Sequence, residues 1–425
     1  LPAPPVTPSQ EVKKQVLDYE TAPLLALANN PKVAASLANV RSFIAESEKL
    51  ASPARPQGRL QLLGPPIPTS GNDSTFRSDF VLAPITLEVR KLVYDGGRIA
   101  AVIAQGKSLA RQSALEAQAE WQQLYFAVRQ SYLTVLAAQN QETLAAERVQ
   151  RAQEQLRQAE LRFRVGKAPR GDVLSATLPV SQAELVVQKN QASTLKAVQE
   201  LNQLLGLPID TTLELTSPKL PEIALPDLEQ CLQEAFQQRP DLKALEHQMV
   251  AAIRGVEAAQ LDNHPYMNFL LGVSGISQDR SVIGAVAYRG GFEFNWNFGD
   301  GGKSKHMTAS AKAVVERDTA LWVEQKRVVE MEVRDAYRNV QLAVETHTTE
   351  QRRVEQARDA LRIAQAQYNA GMINVYPVRQ AQTDLYDTQS AQGKAYFDYF
   401  LALASLDLAC GRSGDTALKT PFPND

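Results

Sequence analysis

Shifted by 205 positions, this chain overlays itself without a gap, from Asp95-Gly96-Gly97 onto Asp300-Gly301-Gly302 through to Gly206 onto Gly411. The register matches Arg129 with Arg334, Tyr132 with Tyr337, Arg148 with Arg353, Gly166 with Gly371 and Leu201 with Leu406. Low-complexity Ala/Gln helices would overlay weakly at many offsets, whereas one exact offset that also aligns glycines and arginines marks two copies of one unit. Any fold must therefore be assembled from two similar halves. Upstream, Pro31 and Pro240 stand 209 apart, so the intervening segment of copy one is four residues longer, and a loop is the expected place for the excess.

Each copy opens with a helix that stops before its proline and restarts after it, as in Leu24 to Val33 and again in Cys231 to Leu242. The period then changes from helical to two. In Gly290-Gly291-Phe292-Glu293-Phe294-Asn295-Trp296-Asn297-Phe298, the side chains of Phe292, Phe294, Trp296 and Phe298 share one face, and Glu293, Asn295 and Asn297 share the other. Copy one alternates in the same sense from Val81 to Arg90. Partner strands are expected around Arg59 to Leu63 and Tyr266 to Ile276, joined through Gly71-Asn72-Asp73 and Ser277-Gln278-Asp279, which makes two strands per copy. An ordinary soluble sandwich sheet would show the same alternation.

The segments after the strands argue against a sandwich. From Asp95 to Val165 and from Asp300 to Ala370 run proline-free stretches rich in Ala, Gln, Glu, Arg and Leu. At 1.5 Å per residue each is a helix of roughly 100 Å, too long for a compact core to bury. Glycine-containing turns, Gly166 to Gly171 and Gly371 to Asn374, then send back a second helix of about 35 residues. Apolar spacing through Leu124, Val128, Leu133, Leu136, Leu144, Val149, Leu156 and Phe163 makes a narrow seam suited to lateral coiled-coil packing. The Asp95-Gly96-Gly97 and Asp300-Gly301-Gly302 elements read as strand-to-helix hinges, because neither a P-loop nor a dinucleotide fingerprint is matched.

The expected organisation is an extended segment over 1–10, a first repeat over 11–206 with its strand pair near 57–94 and hairpin at 95–206, and a linker over 207–226. A second repeat occupies 227–411, with strands near 265–299 and a hairpin at 300–411, and a tail completes the chain over 412–425. A formal net charge of −2 and a pI near 6.2 leave no basic excess for nucleic acid. No apolar run of about 18 residues exists, so membrane residence would have to be as strands. The opening Leu1-Pro2-Ala3-Pro4-Pro5 reads as a processed end from which a signal peptide is gone, and a chain trimmed there would read the same. There is no cysteine at position 1 to carry a lipid. Cys231 and Cys410 are too few for a disulfide framework and read as buried or idle. His247, His264, His306 and His347 have no metal-ligand spacing, and no nucleophile elbow occurs, so no catalytic residue, metal or cofactor is assigned.

The order of these parts resembles the TolC-like outer membrane factor family over nearly the whole chain. The matching elements are Leu92-Val93-Tyr94-Asp95-Gly96-Gly97, Arg162-Phe163-Arg164-Val165-Gly166 with Asp172-Val173, Leu204-Leu205-Gly206 and Tyr368-Asn369-Ala370-Gly371. The resemblance implies a mixed α and β fold: a homotrimer whose twelve strands, four per chain, close an outer membrane β-barrel continuous with a periplasmic α-helical barrel. It further implies an exit duct of tripartite efflux or type I secretion in the outer membrane of a Gram-negative-type cell. Docking would be to a periplasmic adaptor and an inner membrane pump. Independently, four strands are too few to enclose a barrel, for which about eight is a practical minimum, so neighbouring copies must close the edges.

In such a barrel Phe292, Phe294, Trp296 and Phe298 would face outer membrane lipid. The tips Val165, Gly166, Lys167, Gly371, Met372 and Asn374 would dock the adaptor. At the family's periplasmic gate, the carboxylate position falls on Asp172 and the tyrosine on Tyr368, while the arginine position is Ile373 and the acidic pair falls on Pro377 and Gln380. Arg379 or Arg170 would supply the missing charge, and Asp172 could instead cap the returning helix. The other reading is a periplasmic coiled-coil adaptor or scaffold without a barrel.

Overall fold

The computed structural model describes residues 15–62, 82–166, 169–219, 227–277 and 285–412. Lys167, the proposed connections at Gly71-Asn72-Asp73 and Gln278-Asp279, the 1–10 segment and the tail beyond 412 lie outside the described residues.

Two helices of equal length dominate: α3 (Arg98–Arg164) and α7 (Lys303–Asn369), 67 residues each and 205 positions apart at both ends. They return as α4 (Arg170–Leu205) and α8 (Val375–Ala409). The short helices recur too: α2 (Pro31–Ala51) and α6 (Pro240–Gln260) lie 209 apart at both ends, and α1 (Ala22–Asn29) and α5 (Leu228–Gln238) lie 209 apart at their C-terminal ends. Pro31 and Pro240 each take the first position of a helix, where the missing N–H costs nothing. Among the described residues, eight glycines with left-handed backbone form four pairs 205 apart, Gly96 and Gly301, Gly97 and Gly302, Gly166 and Gly371, Gly206 and Gly411. At Gly371 the Met372 amide reaches back to the Gln367 carbonyl at 2.9 Å, the bond that closes a helix whose next residue is left-handed.

The chain divides into two compact units, one of Leu1–Ser36, Ala117–Pro240 and Lys326–Asp425, the other of Leu37–Glu116 and Asp241–Gln325. The first unit holds a small parallel pair, β1 (Gln15–Leu17) and β4 (Leu213–Leu215), which the sequence pattern did not announce. Tyr132 explains it. Its ring is fully buried, and its hydroxyl reaches the Leu17 carbonyl at 2.7 Å and the Thr216 carbonyl at 2.8 Å while accepting the Thr216 amide, so one side chain clamps both strands. Between helices of this unit, Ser390 donates to Gln141 at 2.8 Å and Arg148 lies 4.6 Å from the Tyr386 ring.

The second unit holds a four-stranded antiparallel sheet in the order β2 (Gln57–Leu62), β3 (Leu82–Tyr94), β5 (Tyr266–Ser277) and β6 (Ala285–Asn295). The last strand was expected over 290–298, and the structure moves it to 285–295. Pairing ends where Tyr266 meets Asn295, because the residue before Tyr266 is Pro265, which has no N–H to donate. At its other end β6 continues because β5 offers backbone as far as Ser277. Among the helices of this unit, Gln112 of α3 donates to Gln248 of α6 and Gln248 to the buried Asp318 of α7, tying three helices by a polar relay.

Candidate barrel wall, helix junctions and hairpin tips

Cross-strand register sorts the sheet into two chemically distinct faces. Leu60, Leu87, Val273 and Tyr288 lie in one row, and Lys91, Phe269 and Phe292 in another on the same side. Leu60, Leu87, Leu271, Tyr288, Phe292 and Phe294 on this side are more than half exposed. The Phe269 and Phe292 rings meet edge to face at 5.5 Å. The opposite side carries Arg59, Glu88, Arg90 and Glu293, with Arg90 3.2 Å from Glu88 and 3.6 Å from Glu293. Phe292 and Phe294 are therefore on the apolar face as expected, whereas Trp296 and Phe298 lie past the strand end, exposed and edge to face at 6.1 Å. At 11 to 13 residues, β3, β5 and β6 are long enough to cross a bilayer as tilted strands, which need about 9–11.

At the strand exits the Asp-Gly-Gly elements are turns that start the long helices, so α3 and α7 begin three residues later than the composition suggested. Asp95 accepts the amides of Gly97 at 3.0 Å and Ile99 at 2.5 Å. Asp300 accepts Gly302 at 2.9 Å, Ser304 at 2.8 Å and the Ser304 hydroxyl. The Ser304 hydroxyl, then these amides, hold the Asp300 carboxyl down at about 2. The amides that a phosphate would need are occupied by the chain's own carboxylates. Gly96 and Gly97, like Gly301 and Gly302, supply the left-handed turn between strand and helix.

At the far ends of the hairpins, Val165, Gly166 and Gly371 sit in turns, and Met372 is exposed. A side chain at Gly166 or Gly371 would meet nothing within 4 Å, so left-handed backbone and not space demands glycine there. Asn374 caps α8, accepting the Tyr376 amide at 3.1 Å. Asp172 does not cap α4: Pro169 holds the cap position and Asp172 lies exposed in the first turn. Tyr368 accepts a hydrogen bond from Arg162, whose guanidinium also lies 5.0 Å from the Tyr368 ring, and no bond joins Tyr368 to Asp172 within one chain. Arg379 donates to the Ser175 hydroxyl at 3.1 Å, and Ser175 donates to the Asp172 carbonyl at 3.0 Å, linking α8 to α4. Ile373 is part-exposed in the second turn, Pro377 lies in the first turn of α8, and Gln380 donates to Asp384 at 2.8 Å. Sequence reasoning gave Arg162 no role of its own at the gate. Its signal was available as an arginine one turn before Gly166.

No helix among the described residues is long and apolar enough to cross a membrane. The model of one family, outer membrane efflux protein, matches residues 22–207 and 231–412. The chain belongs to the outer membrane efflux protein family. Its place is the outer membrane, and the barrel-free adaptor or scaffold reading is set aside. A relative, the protein CyaE of Bordetella pertussis, is 26% identical over 228 residues, covering 52% of this chain and 48% of CyaE, so the chain spans about half the length of that protein. The fold is shared with the outer-membrane channel OprN, at a TM-score of 0.77 and 21% identity over 92% of this chain and 89% of that one. It is shared too with the Campylobacter jejuni CmeC outer membrane channel, at 0.80 and 16% over 94% and 87%. The architecture is thus mixed α and β and mostly helical, the fold of these outer-membrane channels.

Proposed function

We propose that this protein is the passive exit duct of a tripartite efflux or type I secretion system, formed by three chains whose twelve strands close one outer membrane barrel. The observation that carries this reading is the four-stranded sheet of the second unit: one face is apolar and exposed, the other polar, and its outer strands β2 and β6 have no partner on one side among the described residues. Unpaired edges beside an exposed aromatic face are unstable in water and in lipid alike, and closure by neighbouring copies removes both problems. The 205-residue recurrence of helix ends and left-handed glycines supports an internal duplication, so that each chain supplies two hairpins and two strand pairs.

The tips are assigned to docking on a periplasmic adaptor that connects to an inner membrane pump. Exposed apolar side chains gathered there, Val165, Leu174, Met372 and Tyr376, support that role. Asp172, Tyr368, Ile373, Pro377 and Gln380 are assigned to the closed end, with Arg162 and Arg379 supplying the positive charge that Ile373 lacks. Exported cargo is set by the pump. The test is native mass measurement and planar-bilayer recording on detergent-purified protein: a trimer with ion conductance is expected, and a monomer, or a species soluble without detergent, overturns the reading.

A further inference from the structure

We infer that Cys231 and Cys410 are joined by a disulfide in the mature protein, tying α5 to the end of α8. They are the only two cysteines in the sequence and are 179 residues apart, yet the fold brings them together in one unit, where both are fully buried. Arg239, just past the end of α5, donates to the carbonyl of Ala409, the residue before Cys410, at 3.4 Å, so the last turn of α8 lies on the end of α5. Arg412, paired with Glu234 at 2.5 Å, stands 4.0 Å from the Cys231 sulfur and closes the site. Within this sequence two cysteines allow a single intramolecular pairing.

The first half of the chain shows that packing alone does not ask for sulfur here. The positions equivalent to Cys231 and Cys410, by the offsets of 209 and 205, are Ala22 and Leu205, and both are fully buried. An alanine and a leucine fill that place in one half, and two buried cysteines fill it in the other.

The inference rests on the outer membrane location and not on the duct reading. A protein of that membrane folds in the periplasm, where thiols are oxidised. The electron acceptor is the disulfide of a periplasmic thiol oxidoreductase. One cysteine of the unfolded chain, as thiolate, attacks that disulfide and expels one of its thiols. The second cysteine then attacks the mixed disulfide and expels the other. The chain loses two S–H bonds and gains one S–S bond, and the oxidoreductase is reduced to its dithiol. Exchange belongs to folding, because in the folded chain burial, reinforced by the neighbouring Cys231 thiol, pushes the Cys410 thiol up to about 12, where little thiolate exists. A bond closing so long a loop restricts the unfolded chain strongly.

The test is a thiol count on full-length protein from outer membranes, acid-quenched, denatured and labelled with polyethylene glycol maleimide. No adduct is expected before reduction and two after it, whereas Cys231→Ser and Cys410→Ser should each carry one adduct without reduction. The double variant Cys231→Ala with Cys410→Leu, which installs the first half's pair, should assemble and lose the reductant-dependent gel mobility of the wild type. Two adducts on unreduced wild type, a disulfide-linked dimer, or no adduct even after reduction would each overturn the inference. Trimer and conductance measurements are independent of the thiol count, so failure of the duct reading is separately visible.

Discussion

Arg129 shows how much one side chain organises in the first unit. Its guanidinium lies 4.8 Å from the Tyr19 ring and 4.7 Å from the Tyr125 ring, pairs with Glu20, and stands 4.0 Å from Asp407. Burial pushes the Asp407 carboxyl above its ordinary range, and Arg129 opposes that shift. Replacing Arg129 with Met removes the charge opposite the half-exposed Asp407 and both ring contacts, so a loss of about 1–2 kcal/mol is expected, measured by denaturant unfolding. Asp300 behaves in the opposite sense. Its carboxyl is held at about 2, below the unfolded value, so the contribution is present above the ordinary carboxylate range and is lost as pH falls through about 2. Asp300→Ala should therefore melt lower than wild type at neutral pH, with the gap closing as pH falls from about 4 toward 2. A gap independent of pH would remove the carboxylate from the account.

Among the strands, β6 separates two environments within one residue. Phe294 is exposed on the apolar face, while Glu293 and Asn295 lie on the side where Arg90 pairs with Glu293 at 3.6 Å. A charge on the lipid side of a barrel costs up to about 2–4 kcal/mol at mid-depth and less near the interface. Phe294→Asp should reduce the assembled protein recovered from outer membranes, and Asn295→Asp should leave it unchanged. Equal yields from the two would mean that the facing of β6 is reversed. The long helices carry a different constraint: α3 and α7 begin on capped Asp-Gly-Gly turns and end on left-handed glycines, so their length is set at both ends by backbone geometry.

In the duct proposed above, the tips are the elements assigned to ion passage. Between residues 161 and 172 stand Arg162, Arg164, Lys167 and Arg170 against the single acid Asp172, and between 366 and 380 the only charged residue is Arg379. Divalent cations need an acidic ring to bind, so weak block of conductance by divalent ions is expected in planar bilayers. Within one chain Tyr368 is held by Arg162 and not by Asp172. A hydrogen bond to a charged group contributes about 1.5–3 kcal/mol, enough to shift a two-state opening about tenfold or more. Arg162→Ala and Tyr368→Phe should each raise open probability, and the double variant should add little to either, as expected for one shared bond. Strictly additive effects would detach this pair from gating.

The features legible in the sequence are those that depend on local rules. Helix lengths come from proline-free stretches, helix breaks from Pro31 and Pro240, turns from paired glycines, and the two-faced sheet from the alternation around Phe292 and Phe294. Each of these rests on neighbours within a few residues of each other, where spacing alone carries the information. Tertiary structure decided the rest. It ended β6 at Asn295 because the partner strand begins after a proline, and created the β1 and β4 pair because Tyr132, 115 residues from Leu17, clamps it. It gave Tyr368 to Arg162 across 206 residues and buried Cys231 and Cys410, 179 apart, in one unit. Such contacts depend on which helix faces which, a consequence of packing over long loops that no local period encodes.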